Sequence, residues 1–240
     1  MKNIVLLLLL TFGSETVFAD CSMSGITFFP EEREIGLNSK FIIQGYASSQ
    51  KTINSFKNKK VYLESETGEL IELNLEEIHV GQMQLTQAVF CSSIELKPNT
   101  KYYINYADQF KNEKRESVYW RTTDKKELEP LKSNLKIEFE KTEVIHYGCG
   151  PAANAIFVIK NNPESEIWYK TEVVDLSSDI KKTFYIKAQN AKLNVGHGMC
   201  SGAFRFKNKG KYKVRFTPMN TEGKSLKTTD WTTFKSPFSY

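Results

Sequence analysis

Two short units of the chain combine residue types that can bind a metal ion or form a disulfide. In each unit a histidine stands three residues before a cysteine: His146 precedes Cys149, and His197 precedes Cys200. Imidazole nitrogen and thiolate sulfur are ligands that tetrahedral Zn²⁺ prefers, so one hypothesis is a Cys₂His₂ site. A second hypothesis keeps the cysteines in a disulfide and leaves only His146 and His197 to face a metal ion or another ligand.

The four cysteines predict two disulfides if the chain is exported. In an oxidising compartment paired cysteines are normally joined, and the expected pairs are Cys21–Cys91 and Cys149–Cys200. Loops of about 70 and about 51 residues give each bond about 4 kcal/mol on the loop-entropy account. Oxidation would remove the thiolates that a zinc site needs, so the disulfides are the preferred prediction and no cofactor is expected.

Cys200 also stands in the string Gly198-Met-Cys-Ser-Gly202, which places a nucleophile between two glycines. Such a string serves catalysis at a sharp turn from a strand into a helix of an α/β-hydrolase sheet. No strand-to-helix pattern surrounds Cys200, and the chain has no phosphate-binding glycine loop. We therefore predict that the protein is not an enzyme.

The N-terminus has the pattern of a secretory signal peptide. Lys2 precedes an apolar run over residues 4–10, and Ala19 ends a short segment of the kind that signal peptidase cleaves. The run is well short of the roughly 20 residues that span a bilayer. The pattern predicts removal of residues 1–19, no transmembrane segment, and export to the periplasm or cell surface. A lipid anchor on Cys21 is the alternative, which Asp20 disfavours.

Positive charge is concentrated in the second half of the chain. Residues 20–125 carry 13 basic and 15 acidic side chains, a net charge of −2, whereas residues 126–240 carry 19 and 12, a net charge of +7. One candidate surface for anionic glycans or lipids alternates cations with apolar residues, and its members are Arg205, Lys207, Lys211, Lys213 and Arg215. The alternative is a set of charged outer strand faces that keep the domain soluble.

Short segments in which apolar and polar residues alternate predict an all-β protein. The expected strands of the first half are 40–44, 60–64, 70–73, 101–106 and 118–122, and residues 75–78 could instead form one helical turn. Those of the second half are 135–139, 155–159, 167–171, 183–187, 203–206, 211–216 and 229–234. The charged segment 125–134, interrupted by Pro130, is predicted to link two domains, 20–124 and 135–240.

Several of these segments resemble known domains. Leu96-x-Pro-x-Thr-x-Tyr102 is similar to a signature of fibronectin type III and bacterial immunoglobulin-like (Ig-like) domains, and residues 26–124 resemble the S-layer-type bacterial Ig-like family. The segment Gly210–Phe216 resembles an Ig strand F, and Trp168 is expected to be the core tryptophan of strand C. The ends of the halves also repeat: when Tyr102 is placed on Tyr212, Trp120 comes to within one residue of Trp231.

The resemblance implies two tandem Ig-like β-sandwich domains with an adhesive, structural or ligand-display role in the cell envelope. The expected partner is another protein, an anionic glycan or another envelope component, and nucleic acid is not expected outside the cytoplasm. Two alternatives remain: a periplasmic chaperone of the chaperone–usher type, and a metal-binding protein that uses the two His-x-x-Cys units. The sequence predicts neither the ligand nor the oligomeric state.

Overall fold

The computed structural model describes residues 24–106, 118–124, 131, 134–148, 150–161 and 164–238. Nearly all of their regular structure is β-strand, which confirms the predicted all-β class. The predicted signal peptide (1–19) and most of the predicted linker (125–134) lie outside the described residues. No helix in the described part of the chain is long and apolar enough to cross a membrane.

The first half of the chain, residues 24–124, forms eight strands. Their bounds are β1 Gly25–Phe29, β2 Glu34–Ile35, β3 Lys40–Tyr46, β4 Val61–Ser65, β5 Leu70–Val80, β6 Leu85–Ser92, β7 Lys101–Tyr106 and β8 Tyr119–Thr122. A short helix, α1 (Gln50–Ser55), follows β3. Residues 75–78, for which a helical turn was the alternative, belong to strand β5.

These strands make one continuous sheet in the order β1-β3-β6-β5-β4-β7-β8-β2. All neighbours are antiparallel except β2 and β8, which run parallel. One core takes buried side chains from β3, near one end of the sheet, through to β2 at the other end. Across this core, Trp120 of β8 and Phe41 of β3 are in edge-to-face contact at a centroid distance of 4.9 Å. Because strands from the whole sheet share one core, the sheet curls over on itself.

The second half, residues 134–238, forms seven strands. Their bounds are β9 Lys136–Tyr147, β10 Gly150–Lys160, β11 Ile167–Asp175, β12 Ile180–Lys187, β13 Lys192–His197, β14 Lys211–Asn220 and β15 Thr232–Lys235. They make two sheets, in the orders β13-β10-β9 and β12-β11-β14-β15. Buried aromatic residues fill the space between the sheets, and Phe157 contacts Phe216 at a centroid distance of 5.0 Å.

The same corner closes both cores. The Lys97 N–H donates to the Tyr102 hydroxyl at 2.9 Å, and the Lys207 N–H donates to the Tyr212 hydroxyl at 2.8 Å. In each case the tyrosine follows the donor by five residues and begins a strand that crosses the core. The predicted match of Tyr102 with Tyr212 therefore has a structural counterpart.

The tryptophan predictions are wrong. Trp120 lies opposite Tyr102, but the residue opposite Tyr212 is Phe234, and Trp231 lies at the surface. Trp168 is buried on the outer face of its sheet, whereas its neighbour Tyr169 points into the core. Neighbouring residues of a strand lie on opposite faces of the sheet. The alternation of the sequence did not show which of Trp168 and Tyr169 faces the core.

One predicted strand is also absent. Residues 203–206 are irregular, because Ala203 and Phe204 hydrogen-bond to Gln82 and Gly196 as single contacts and not along a ladder. The side chains of Ala203, Phe204 and Phe206 are nonetheless buried. The apolar pattern therefore predicted their burial correctly but their secondary structure incorrectly.

Candidate binding cleft between the two halves

The two halves pack against each other through a small apolar cluster. Ile42 and Val89 lie on the outer face of the first sheet, and Trp168, Tyr185 and Met219 lie on the outer face of the four-stranded sheet. All five side chains are at most 7% exposed. The halves thus form a face-to-face interface, which polar contacts extend on every side.

Glu166 anchors one side of this interface. Its carboxylate accepts hydrogen bonds from the N–H groups of Glu31 at 2.8 Å and Glu32 at 3.2 Å, and from the Trp168 indole at 2.7 Å. The Glu32 carboxylate in turn accepts from the Glu166 N–H at 2.9 Å. A buried carboxylate needs several donors to offset the loss of water, and here most of those donors belong to the other half.

Gln87 connects the halves at the centre. Its side-chain amide donates to the Tyr185 carbonyl at 2.8 Å and accepts from the Tyr185 N–H at 3.1 Å. The same nitrogen donates to Gln44 Oε1 at 2.8 Å. The amide thereby takes the place of a neighbouring strand at the edge of β12.

A cluster of three ionisable side chains, Glu77, His79 and Lys170, lies next to Gln87. Lys170 Nζ is 2.7 Å from Glu77 Oε1. His79 Nε2 is 2.7 Å from Glu77 Oε2, but the geometry of this contact is not that of a hydrogen bond. The His79 ring packs on Tyr185 at 5.4 Å. Burial holds the pKa of His79 below its usual value. Burial also acts to raise the pKa of Glu77, but the ion pair with Lys170 outweighs it and lowers that pKa.

On the far side, backbone pairing itself crosses the interface. Met83 and Gly202 exchange two hydrogen bonds, and Gly202 also lies opposite His197 on β13. Added side-chain atoms would not fit at Gly202, since a Cβ there would stand 2.2 Å from the Cβ of His197. The three-stranded sheet of the second half therefore continues through Gly202 to Met83 of the first half.

Between these contacts lies a cleft of about 620 Å³ that both halves border. Its polar lining consists mainly of carboxamide side chains that lie beside aromatic rings, and it includes Phe29, Gln44, Gln87, Asn154, Phe184 and Asn194. At the rim, Lys187 Nζ pairs with Glu31 Oε2 at 2.6 Å. Neutral hydrogen-bonding groups beside aromatic faces suit an uncharged polar ligand, such as a peptide main chain, better than a strongly anionic one.

The edge of strand β12 opens into this cleft. Both main-chain groups of Tyr185 point away from β11, since they bond to Gln87, and alternation along the strand gives Lys187 the same orientation. Lys187 lines the cleft, and within the described residues its N–H and C=O have no backbone partner. An unpaired edge of this kind can accept a further strand.

The structure places the two predicted metal-site histidines in different surroundings. His146 is exposed on β9, whereas His197 is 6% exposed on β13, and β10 separates the two strands. Among the described residues no group of three or more His, Cys, Asp or Glu side chains is arranged to hold a metal ion. Cys149 lies outside them, so the Cys₂His₂ hypothesis stays a prediction, but the disulfide at Cys200 removes one of the thiolates that it needs.

The cysteines are only partly described. Cys200 is disulfide-bonded, and its partner lies outside the described residues, as do Cys21 and Cys149. Cys91 carries a free thiol, and burial raises the pKa of that thiol. The predicted Cys149–Cys200 and Cys21–Cys91 pairings stay predictions, although the free thiol at Cys91 does not favour the second.

Internal partners occupy most of the predicted anionic-binding surface. Lys207 pairs with Asp175 at 2.7 Å, Arg215 pairs with Glu172, and Lys213 lies over the Trp231 ring at 5.0 Å. Arg205 and Lys211 are exposed. These contacts favour the alternative in which the cations cover outer strand faces.

The glycine-flanked Cys200 does not sit at a strand-to-helix turn. Gly198 N–H donates to the Ser201 carbonyl at 2.8 Å, which closes a tight turn between strand β13 and the irregular segment that follows it. Because the cysteine sulfur is in a disulfide, it is not a free nucleophile.

Sequence reasoning missed the interface residues Gln87, Glu166 and Gly202. The sequence does contain an indication of Gln87, because this polar residue directly precedes the apolar run of β6. In the structure its side chain is 2% exposed. A buried amide needs a partner, and the sequence could not say that the partner lies 98 residues away.

No protein-family model and no curated protein matches the chain. A solved structure of a pullulanase from Anoxybacillus sp. LM18-11, complexed with maltotriose, is 6% identical to this chain with a TM-score of 0.29. The match covers 86% of this chain and 25% of the pullulanase, so this chain spans about a quarter of the length of the pullulanase. A cytokine receptor complex is 10% identical with a TM-score of 0.28, covering 90% and 98% of the two chains. A DUF4785 family protein from Legionella pneumophila is 10% identical with a TM-score of 0.25, covering 91% and 58%.

Proposed function

We propose that the protein is an exported, non-enzymatic binding module of two Ig-like domains, and that an extended segment of a partner protein binds at the edge of β12 in the cleft. The Ig-like assignment is supported by strand order. In the first half β1-β3-β6-β5 and β4-β7-β8 follow the order A-B-E-D and C-F-G, and each half has a tyrosine corner.

The observation that carries the binding proposal is the orientation of Lys187. Its main-chain N–H and C=O point into the cleft, two residues along β12 from Tyr185, whose own main-chain groups bond to Gln87. Strand addition supplies main-chain hydrogen bonds, and the side chains of the cleft then select the sequence of the guest. Gln44, Asn154 and Asn194 provide neutral donors and acceptors for such a guest.

An anionic glycan is less well supported as the partner. The cations that would attract it are largely paired with Asp175 and Glu172 or stacked on Trp231. Exposed ion pairs of this type add little free energy, but they reduce the positive potential that reaches the solvent.

The test is a selection of displayed peptides of about 10 residues on the immobilised mature protein, followed by binding measurements with the selected peptides. Lys187→Pro removes the outward N–H and should abolish binding, because proline is tolerated at a strand edge but cannot donate. Lys187→Ala keeps the N–H and should retain most of the affinity.

Lys181→Pro is the matched control, since Lys181 has the same outward orientation on β12 but does not line the cleft. Equal loss of binding in Lys187→Pro and Lys181→Pro, or undiminished binding by Lys187→Pro, would contradict strand addition at this edge.

A further inference from the structure

A second cavity lies on the other side of His197. It has a volume of about 530 Å³, and two thioether side chains line it together with the imidazole: Met83 from the first half and Met199 from the turn after β13. Both methionines are half-buried. The cavity thus brings sulfur and nitrogen donors together from two parts of the chain: Met83 in the first half, and the end of β13 with the turn after it in the second.

The tautomer of His197 leaves one of its nitrogens available. Nδ1 lies 2.8 Å from the Gly198 carbonyl oxygen, which can only accept, so Nδ1 carries the proton. The neutral ring therefore has its lone pair on Nε2. Histidines that bind metals commonly donate their other N–H to a backbone carbonyl in this way, which fixes the orientation of the ring.

Backbone pairing sets Met83 and His197 on one face. Met83 lies opposite Gly202, and Gly202 lies opposite His197. Side chains that are directly opposite in a β-bridge point to the same face. Since Gly202 has no side chain, nothing from the middle position fills the space between the thioether and the imidazole.

We infer that Met83, Met199 and His197 form a binding site for Cu(I). Thioether sulfur is a soft ligand that selects Cu(I), and imidazole also binds copper, whereas Zn²⁺ prefers thiolate, imidazole and carboxylate. The site keeps His197 from the original metal hypothesis and replaces His146 and the two cysteines with methionines. It needs no reduction of the Cys200 disulfide and does not depend on peptide binding in the cleft.

The test uses the mature protein with the Cys91→Ser substitution, because the free thiol of Cys91 is itself a soft ligand. Cu(I) is offered as its complex with a chromophoric chelator, and Ag(I) serves as a redox-inert probe. We expect one equivalent of either ion to bind. Met83→Leu and Met199→Leu should each weaken binding by about tenfold or more, as loss of a ligand costs at least as much as loss of a supporting residue.

Met219→Leu is the matched control, because Met219 is buried in the apolar cluster of the interface and does not line the cavity. It should leave the affinity unchanged. X-ray absorption of the Cu(I) form should show sulfur and nitrogen neighbours. Absence of stoichiometric uptake, undiminished uptake by Met83→Leu and Met199→Leu, or loss of uptake in His146→Ala instead, would overturn the assignment.

Discussion

Gln87 and Tyr185 form a two-point hydrogen bond between a side-chain amide and a main-chain residue, at 2.8 and 3.1 Å. The two residues belong to different halves of the chain and to strands that never pair. One side chain thereby satisfies a strand edge that would otherwise be left unpaired inside the interface.

We expect Gln87→Glu to destabilise the protein by about 2–3 kcal/mol, because it removes the only donor of the side chain and leaves two acceptors facing a carboxylate. Denaturant unfolding measures the loss. Gln189→Glu makes the same chemical change at an exposed position and should be nearly neutral. Equal stability of the two variants would contradict the structural importance of the pair.

The two corner tyrosines should respond alike to loss of the hydroxyl. Tyr102→Phe and Tyr212→Phe each leave a backbone N–H without its acceptor, at Lys97 and Lys207, and should cost about 1–2 kcal/mol. Thermal or urea unfolding measures the cost. Tyr103→Phe, on the same strand as Tyr102 but outside the core, should change stability far less.

The same substitution should have the opposite sign at Tyr169. Its hydroxyl is buried without a hydrogen-bond partner in the described part of the chain, and burial raises its pKa far above the usual range. Tyr169→Phe removes this unpaired group and should stabilise the protein by about 1 kcal/mol. A loss of stability comparable to that of Tyr212→Phe would show that the hydroxyl has a partner.

The interface should weaken in mild acid. Burial lowers the pKa of His79 in the folded state below the 6.5 of the free side chain, so its contribution is fully present above that pH and is lost as the pH falls through the folded value. The lowered pKa of Glu77 acts in the same direction at lower pH. Urea unfolding at about pH 7.5 and about pH 5.5 should show this slope.

His79→Phe keeps a ring against Tyr185 and should flatten the slope between these two values. His146→Gln removes an exposed histidine instead and serves as the matched control. A slope that survives His79→Phe unchanged would place the acid-sensitive group elsewhere.

Peptide mapping without reduction tests the cysteine arrangement. We expect Cys200 in a cross-linked peptide with Cys149, and Cys91 labelled by a thiol reagent, slowly in the native protein because burial raises its pKa. Labelling should become fast in denaturant. A peptide that joins Cys21 to Cys91 would restore the pairing expected from the sequence.

Local patterns predicted the strands well where one face of a strand is buried in its own half. The segment 101–106 was predicted with the bounds that β7 has, because its alternation and its corner tyrosine depend only on neighbouring residues. The prediction failed at Trp168 because that side chain is buried by the other half, and alternation does not identify which surface covers a residue. It failed at 203–206 for another reason: these side chains pack in the core of their own half, but the backbone bonds singly to Gly196 and Gln82 and forms no ladder.

The candidate sites show the same limit. His197 was singled out because of its spacing to Cys200. Its neighbour Met83 is more than 100 residues away in the sequence, and its neighbour Gly202 has no side chain whose chemistry could indicate a site. Only the backbone pairing across the halves brings them together. Spacing along the sequence therefore singled out His197 but could not identify Met83 and Gly202 as its structural neighbours.

The continuation of a sheet from His197 through Gly202 to Met83 bears on how this chain can be divided. A recombinant fragment that contains only residues 135–240 would lose the last member of that ladder and would uncover Trp168, Tyr185 and Met219 to water. Each half has its own core, but each relies on the other half to cover part of its outer surface. Moving either half into another protein would therefore require a replacement for the surface with which the other half covers it.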